Sequence, residues 1–543
     1  MSSGETPAGT TAPAEQRAER LNTRAAGVVA LAVLCSRLLG LAREQIFAAL
    51  FGGGRVMDAF TIAFRIPNLL RDLFAEGALS TAFVTVFTRT DATGERAAAF
   101  RLANKVATLT IVTLSALTVA GILGAPWLVH ALAPGFDPAK AELTVTLTRI
   151  MWPFILMVSL AALVMGLLNA RNVFGVPAMA SSFFNLGSIV AGAGLGYWLD
   201  PHFGTRAILG LAIGTLVGGA LQLLVQLPTL RATGYRFRPD WRWRDPGVRA
   251  LLLLMGPSVI AASTTQVNVL VNSVFASELG DGPTFWLTVA FRLMQLPLGI
   301  FGVALSTVAL PLLARLAARG EQASFRRELA HGLRLALSMT IPASVGLMVL
   351  AEPIISVLYQ HGRFGAFETA QSAAALRLYA IGLCGYAALK ILVNAFYAIE
   401  RRKTPMLVSF IAVALNLALN LLFTRYFGWG HRGLALSTAC VASSNFLLLY
   451  FIMRAHLKGL ESRAMLDLLW RLALACGVLL ALAAAGGHWL LADWATQQFW
   501  PKCLGLLLTI TVAAAGFFAS ARLLGIGEVQ EVQAALARRL RRR

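Results

Sequence analysis

Fourteen apolar stretches of about 20 residues, each long enough to cross a bilayer as a helix, divide this chain from end to end. They centre near residues 38, 72, 114, 156, 188, 217, 263, 295, 341, 385, 414, 443, 478 and 511. The runs are continuous rather than alternating, which excludes a β-barrel. With 57% hydrophobic and only 13% charged residues, the chain carries more apolar surface than one soluble core can hide. The expected class is an all-α polytopic membrane protein.

The formal charge of +21 raises nucleic acid as a partner, but its distribution argues against one. Arginine and lysine gather in alternate loops. One set holds Arg89, Arg96, Arg101 and Lys105, the stretch RATGYRFRPDWRWRDPGVR (231–249), Arg315, Arg319, Arg326 and Arg327, then ERRKTP and the terminal ARRLRRR. The other set (FGGGR, APGFDPAKAE, ELGDGPT, ADWATQQFWPK) is poor in them. With fourteen spans, every basic loop falls on one side, which the positive-inside rule makes cytoplasmic, together with both termini. Residues 1–24 read as a disordered polar tail without signal-peptide features, and 526–543 as a basic cytoplasmic tail, either an amphipathic helix on the anionic leaflet or a solvated one. The five cysteines lack metal or disulfide spacing.

The chain repeats itself. TIAFR (Thr61–Arg65) recurs as TVAFR (Thr288–Arg292), 227 residues on; ALST (Ala78–Thr81) recurs 226 on, at Ala304–Thr307; GLAIGT (Gly210–Thr215) returns as GLALST (Gly433–Thr438), 223 on. Matches in order at near-constant offset mark two halves, 25–230 and 245–455, of six spans each, followed by two extra helices at 460–525. An even span count makes the repeats parallel, the architecture of transporters that rock two lobes about a central cavity.

Within the apolar blocks lie charges that lipid does not tolerate. Each charged side chain at the bilayer centre costs about 2.5–3.5 kcal/mol on insertion scales, so Arg37, Arg43 and Glu44 in the first block must face a polar interior. Arg37 and Glu44, two turns apart, share a helix face, and Arg43 lies close to it. In the second block Arg65, Asn68 and Asp72 share a face, with Asp58, Arg71 and Glu76 nearby and Pro67 set to bend the helix. Arg292 occupies the repeat position of Arg65, and Lys390 lies in the tenth block. Arginine exceeds acid in these blocks. A central cationic cavity suits an anionic cargo, because guanidinium forks grip phosphate oxygens bidentately. Asp58, Asp72, Glu76 and Glu44 then serve as structural or gating ion pairs that orient the arginines.

SRLLGLARE, followed by FGGGRVMDAFTIAFRIPNLLRDLFAEGALSTAFV, resembles the signature of the MurJ (MviN) lipid II flippase family. FRLMQLPLGIFGVALSTVALPLLAR and VLYQHGRFGAFET are similar to the same family. The resemblance implies a fold of fourteen helices in two lobes, related to the multidrug and oligosaccharide-lipid exporters. It implies transport of an undecaprenyl-diphosphate-linked disaccharide pentapeptide from the cytoplasmic to the periplasmic leaflet of the bacterial inner membrane. It ties Ser36, Arg37, Arg43, Glu44, Asp58, Arg71, Glu76 and Arg292 to activity or cargo contact; the expected substrate-binding set is Ser36, Arg37, Arg43, Arg65, Asn68, Arg71 and Arg292. Some relatives bind sodium through carboxylates in the seventh and eleventh helices. Here the matching stretches offer Asn268, Asn272, Asn416 and Asn420, with Thr438 in the twelfth block, and no carboxylate. That set makes a weak cation site or an interhelical hydrogen-bond cluster, the second being the stronger reading.

The expected activity is therefore a lipid flippase working by alternating access as a monomer, without cofactor, coupled to the membrane potential or a monovalent cation. Its contacts are lipid II, whose tail is expected in a groove made by the two extra helices, membrane lipids, and the cell-wall synthesis proteins of septation and elongation. A flippase for another polyprenyl-diphosphate glycan shares these electrostatics. A drug or ion exporter of the same fold predicts an acidic cavity instead. A membrane enzyme needs a convergent nucleophile, base or metal set, and His130, His361 and His431 stand singly.

Overall fold

The computed structural model describes residues 12–72, 79–92 and 96–541. Among them there is no β-strand. Among the described residues, eleven helices are long and apolar enough to cross a membrane. The other three apolar blocks fall in α1 (Ala12–Phe51), across α2 (Arg55–Leu70) and α3 (Ser80–Ala92), and in the helix Pro246–Ser277. The N-terminal end of α1 lies in the segment assigned by composition to a disordered tail.

The chain forms two compact units. The first comprises residues 1–47, 63–127 and 142–263. Besides parts of α1, α2 and α3 it holds most of α4 (Arg96–Leu132) and α5 (Pro138–Met151), then α6 (Phe154–Ala170), α7 (Gly175–Leu199), α8 (Ile208–Leu224), the short α9 (Leu227–Ala232) and the start of α10 (Pro246–Ser277). Phe83, Phe87, Val106, Leu163, Leu167 and Leu230 form its main core. Helices α7 and α8 pack backbone to backbone along glycines: a Cβ on Gly214 would meet Gly192 Cα at 2.5 Å, so no larger residue fits there.

The second unit comprises residues 48–62, 128–141 and 264–543. Its helices are α11 (Pro283–Pro297), α12 (Ala304–Ala318), α13 (Gln322–Val349), α14 (Ala351–Tyr359), α15 (Ala366–Ala398), α16 (Lys403–Asn420), α17 (Gly430–His456), α18 (Ser462–Leu490), α19 (Phe499–Leu523) and α20 (Gly527–Arg541). Helix α15 is its axis, burying Leu376, Leu383, Ile391 and Phe396 completely. Helix α18 packs on α13, and α19 packs on α18, through a core that includes Leu472, Leu479 and Phe517. The C-terminal tail, expected on the leaflet or in solvent, is helical and docks within this unit. Ile526 and Val529 are buried, and Arg334 binds both Glu528 (2.7 Å) and Glu461 (2.6 Å).

The repeat carries into backbone geometry. Residues 71–72 and 79 adopt π-helical geometry, and so does Leu298–Val303, which covers the repeat positions of 71–72. A π-turn widens the helix and releases backbone groups, a feature concentrated at functional sites.

Candidate functional site

In the first unit the candidate residues lie on two helices held by an aromatic ladder. Phe64 of α2 meets Phe154 of α6 at 5.7 Å between ring centroids, and Phe154 meets Phe184 of α7 at 5.4 Å. The Arg43 guanidinium of α1 sits over the Phe184 ring, 5.0 Å from its centroid. A cation over an aromatic face keeps its charge while losing freedom, which fixes the fork in place. One residue on, Asn185 donates from Nδ2 to the Ser36 carbonyl oxygen at 3.1 Å, pinning α1 about two turns before Arg43. Arg43 and Glu44 are half-buried, and Arg37 on the turn above is exposed. On α2, Arg65, Asn68, Arg71 and Asp72 are half-buried. Arg71 donates through Nε and Nη2 to Asp72 Oδ1, at 3.2 and 3.0 Å, where the π-turn begins. Glu76 lies outside the described residues. Five arginines (Arg37, Arg43, Arg55, Arg65 and Arg71) against three carboxylates (Glu44, Asp58 and Asp72) therefore stand on the described residues between 36 and 72. Apolar surroundings strengthen an uncompensated charge, and the arrangement can hold an anion.

In the second unit, Asp58 has a different setting from the one expected. Its carboxylate is fully buried and accepts from Gly282 N at 2.6 Å, Phe285 N at 2.9 Å and Lys140 Nζ at 3.0 Å. It caps the first turn of α11, where free N–H groups and the helix dipole favour negative charge. Lys140 also bonds Asp281 at 2.8 Å, and Arg55 pairs with Asp137. Asp58 therefore pairs with a lysine and orients no arginine among these contacts. Sequence reasoning missed Lys140 as its partner. The available signal was a lone lysine in APGFDPAKAE, a loop otherwise poor in basic residues.

Arg292 of α11 is exposed; its neighbour Phe291 packs edge-on against Tyr379 at 5.4 Å. The amides expected as a weak cation site form a hydrogen-bonded chain. Asn420 donates to Asn272 at 2.8 Å and to Asn416 at 3.3 Å; Asn272 donates to Thr438 at 3.1 Å; Asn416 donates to Ser437 at 3.4 Å. Asn268 does not join these bonds, and its Oδ1, like that of Asn420, is buried without a hydrogen-bond partner among the described residues. The donors are neutral amides and hydroxyls, a poor match to a hard cation that prefers carboxylate oxygens. No group of three or more His, Cys, Asp or Glu among the described residues is placed to hold a metal.

Comparison with known proteins follows the same line. The family model described as "Lipid II flippase MurJ" matches residues 47–508. The probable lipid II flippase MurJ of Vibrio cholerae is 36% identical over 513 residues, covering 92% of this chain and 95% of the relative. The lipid II flippase MurJ of Burkholderia cenocepacia is 37% identical over 427 residues, covering 78% of this chain and 81% of the relative. Among solved structures, a lipid II flippase MurJ in an inward closed conformation matches with TM-score 0.73 at 26% identity, over 90% of this chain and 98% of that one. An inward-facing multidrug transporter of the MATE family matches with TM-score 0.65 at 15% identity, over 79% of this chain and 96% of that one, a likeness of fold alone.

Proposed function

The chain belongs to the lipid II flippase MurJ family, and from that premise we propose that it carries undecaprenyl-diphosphate-linked peptidoglycan precursor from the cytoplasmic to the periplasmic leaflet by alternating access. It is a multi-pass membrane protein. The observation that carries the cargo assignment is the cationic balance on α1 and α2, with Arg43 fixed over Phe184 and Arg65 and Arg71 half-buried. A diphosphate brings the negative charge that this balance lacks, and forked guanidinium groups meet its oxygens bidentately. Arg292 holds the repeat position of Arg65 in the second unit.

The reading extends to a transporter without an enzymatic step, seated in the bacterial inner membrane. The basic loops, all on one side of a fourteen-span topology, support cytoplasmic termini. Moving one negative charge toward the positive outside gains about 2.3 kcal/mol per 100 mV, so the membrane potential favours export without a resident cofactor. The neutral amide chain of Asn272, Asn416 and Asn420 supports a hydrogen-bonding role over a cation-coupling one. Conditional depletion tests the function. The precursor that accumulates on the cytoplasmic side should be the complete disaccharide-pentapeptide diphosphate lipid. Accumulation of a different polyprenyl glycan would reassign the cargo.

A further inference from the structure

The stretch Tyr235–Asp245, YRFRPDWRWRD, is used by nothing described so far. It follows the turn at Gly234 and has no regular secondary structure, yet α4 holds it firmly. Tyr235 donates from its hydroxyl to Asn104 Oδ1 at 2.7 Å, and the Arg238 backbone N–H donates to the same oxygen at 3.2 Å. The Asp240 backbone N–H donates to Thr108 Oγ1 at 3.0 Å, and Lys105 pairs with Asp245. All of these contacts lie within the first unit.

These anchors set the depth of the segment. Helix α4 opens with Arg96, Arg101 and Lys105 and is apolar from Val106 onward. Thr108 lies only about 4.5 Å further along the axis than Lys105, so the segment crosses α4 where charged residues give way to apolar ones. That is the level of lipid headgroups. Outward from it project Arg236, Phe237, Arg238, Trp241, Arg242 and Arg244, all exposed. Trp241 is 65% exposed and Phe237 46%. The Trp241 and Trp243 rings lie 5.6 Å apart. Arg242 contacts Asp240, but Arg236, Arg238 and Arg244 have no carboxylate partner among the described residues. Exposed tryptophan at an interface sits with its ring among acyl chains and its N–H among headgroups, while neighbouring arginines meet phosphate.

We propose that this arginine–tryptophan strap binds the anionic phospholipids of the leaflet it borders, anchoring the first unit to the membrane surface independently of cargo. Charge complementarity selects the occupant. Unpaired guanidinium groups at headgroup depth match phosphodiester anions, and the aromatic rings beside them match the acyl boundary rather than a water-filled groove.

The test uses the full chain in nanodiscs of phosphatidylcholine containing an equal mole fraction of either brominated phosphatidylglycerol or brominated phosphatidylcholine. The Trp241 contribution is taken as the difference between wild type and Trp241→Phe. The proposal predicts quenching of that contribution roughly twofold or more stronger by the anionic lipid. It also predicts that Arg236→Gln/Arg238→Gln/Arg244→Gln abolishes the preference while circular dichroism stays unchanged. The wild-type comparison stands even where the triple variant misfolds. Equal quenching by the two lipids, or none, overturns the proposal. So does strap-dependent binding of polyglutamate or a single-stranded oligonucleotide in discs that show no lipid preference, because the partner is then a macromolecule.

Discussion

Lys140 Nζ stands 3.0 Å from Asp58 Oδ2, with 1% and 0% of the two side chains exposed. A buried pair of this kind contributes little over a well-packed apolar pair, but breaking it strands a charge. Asp58→Asn removes one of the two carboxylates on Lys140, leaving Asp281, and weakens the cap on α11. The expected loss is about 1.5–3 kcal/mol, the range for a hydrogen bond to a charged group, read as a fall in thermal midpoint in detergent. Asp58→Asn combined with Lys140→Met should recover part of it, because the buried ammonium left with fewer partners is gone. An unshifted midpoint in the single variant would contradict the role given to Asp58.

The Arg43 guanidinium lies over the Phe184 ring, 5.0 Å from its centroid. Arg43→Ala should lower transport at least tenfold, because the fork that meets diphosphate is lost. The cost in stability should stay near the 0.5–2 kcal/mol of one cation–π contact. Arg43→Lys keeps the charge without the fork and should fall between wild type and alanine. Complementation of depleted cells, with protein level measured in parallel, separates the two effects.

The amides of α10 and α16 bond one another across helices. Asn420→Ala should cost about 1–2 kcal/mol, the range for membrane interhelical hydrogen bonds in model peptides. Transport rates in sodium and potassium buffers should agree within about twofold, since neutral amides hold a hard cation weakly. A strict sodium requirement, lost in Asn420→Ala, would make this cluster the coupling site.

The Asp245 carboxyl lies below the ordinary carboxylate range: burial alone would raise it, and the Lys105 ammonium and Gly247 N–H outweigh burial. A depressed carboxylate stabilises the fold above its ordinary value of about 3.9 and loses that contribution as pH falls through the folded value. The attachment of Tyr235–Asp245 to α4 should therefore hold from neutrality down to about pH 4 and loosen below it. Hydrogen exchange of residues 234–246 measures this, and exchange that stays slow in stronger acid would show that Lys105–Asp245 contributes nothing to it.

Much of this was readable in the residues because hydrocarbon is an unforgiving solvent. The run in α13 or α15 has one physical solution, and an arginine such as Arg43 within such a run must find a polar setting. The repeat of Thr61 and Thr288 likewise announced equivalent helices, and both now carry π-turns. What stayed hidden depends on which segments fold together. Lys140 lies 82 residues from Asp58, in the first turn of α5, with no periodicity to point at its partner. Phe184 reads as an ordinary apolar residue until α1 is laid beside α7. The docking of α20 through Val529 was hidden for a similar reason: composition shows a basic helix but not the carboxylates that Arg334 collects.

The central claim is that these arginines serve a flippase, and the most direct measurement is leaflet exchange by the purified chain. Proteoliposomes are loaded with lipid II carrying a fluorophore that an impermeant reductant can bleach. The fraction bleached should rise from the outer-leaflet share toward completion with wild type, and stay near the protein-free value with Arg43→Ala/Arg71→Ala. Exchange at the protein-free rate with wild type, or undiminished exchange with the double variant, would contradict the account.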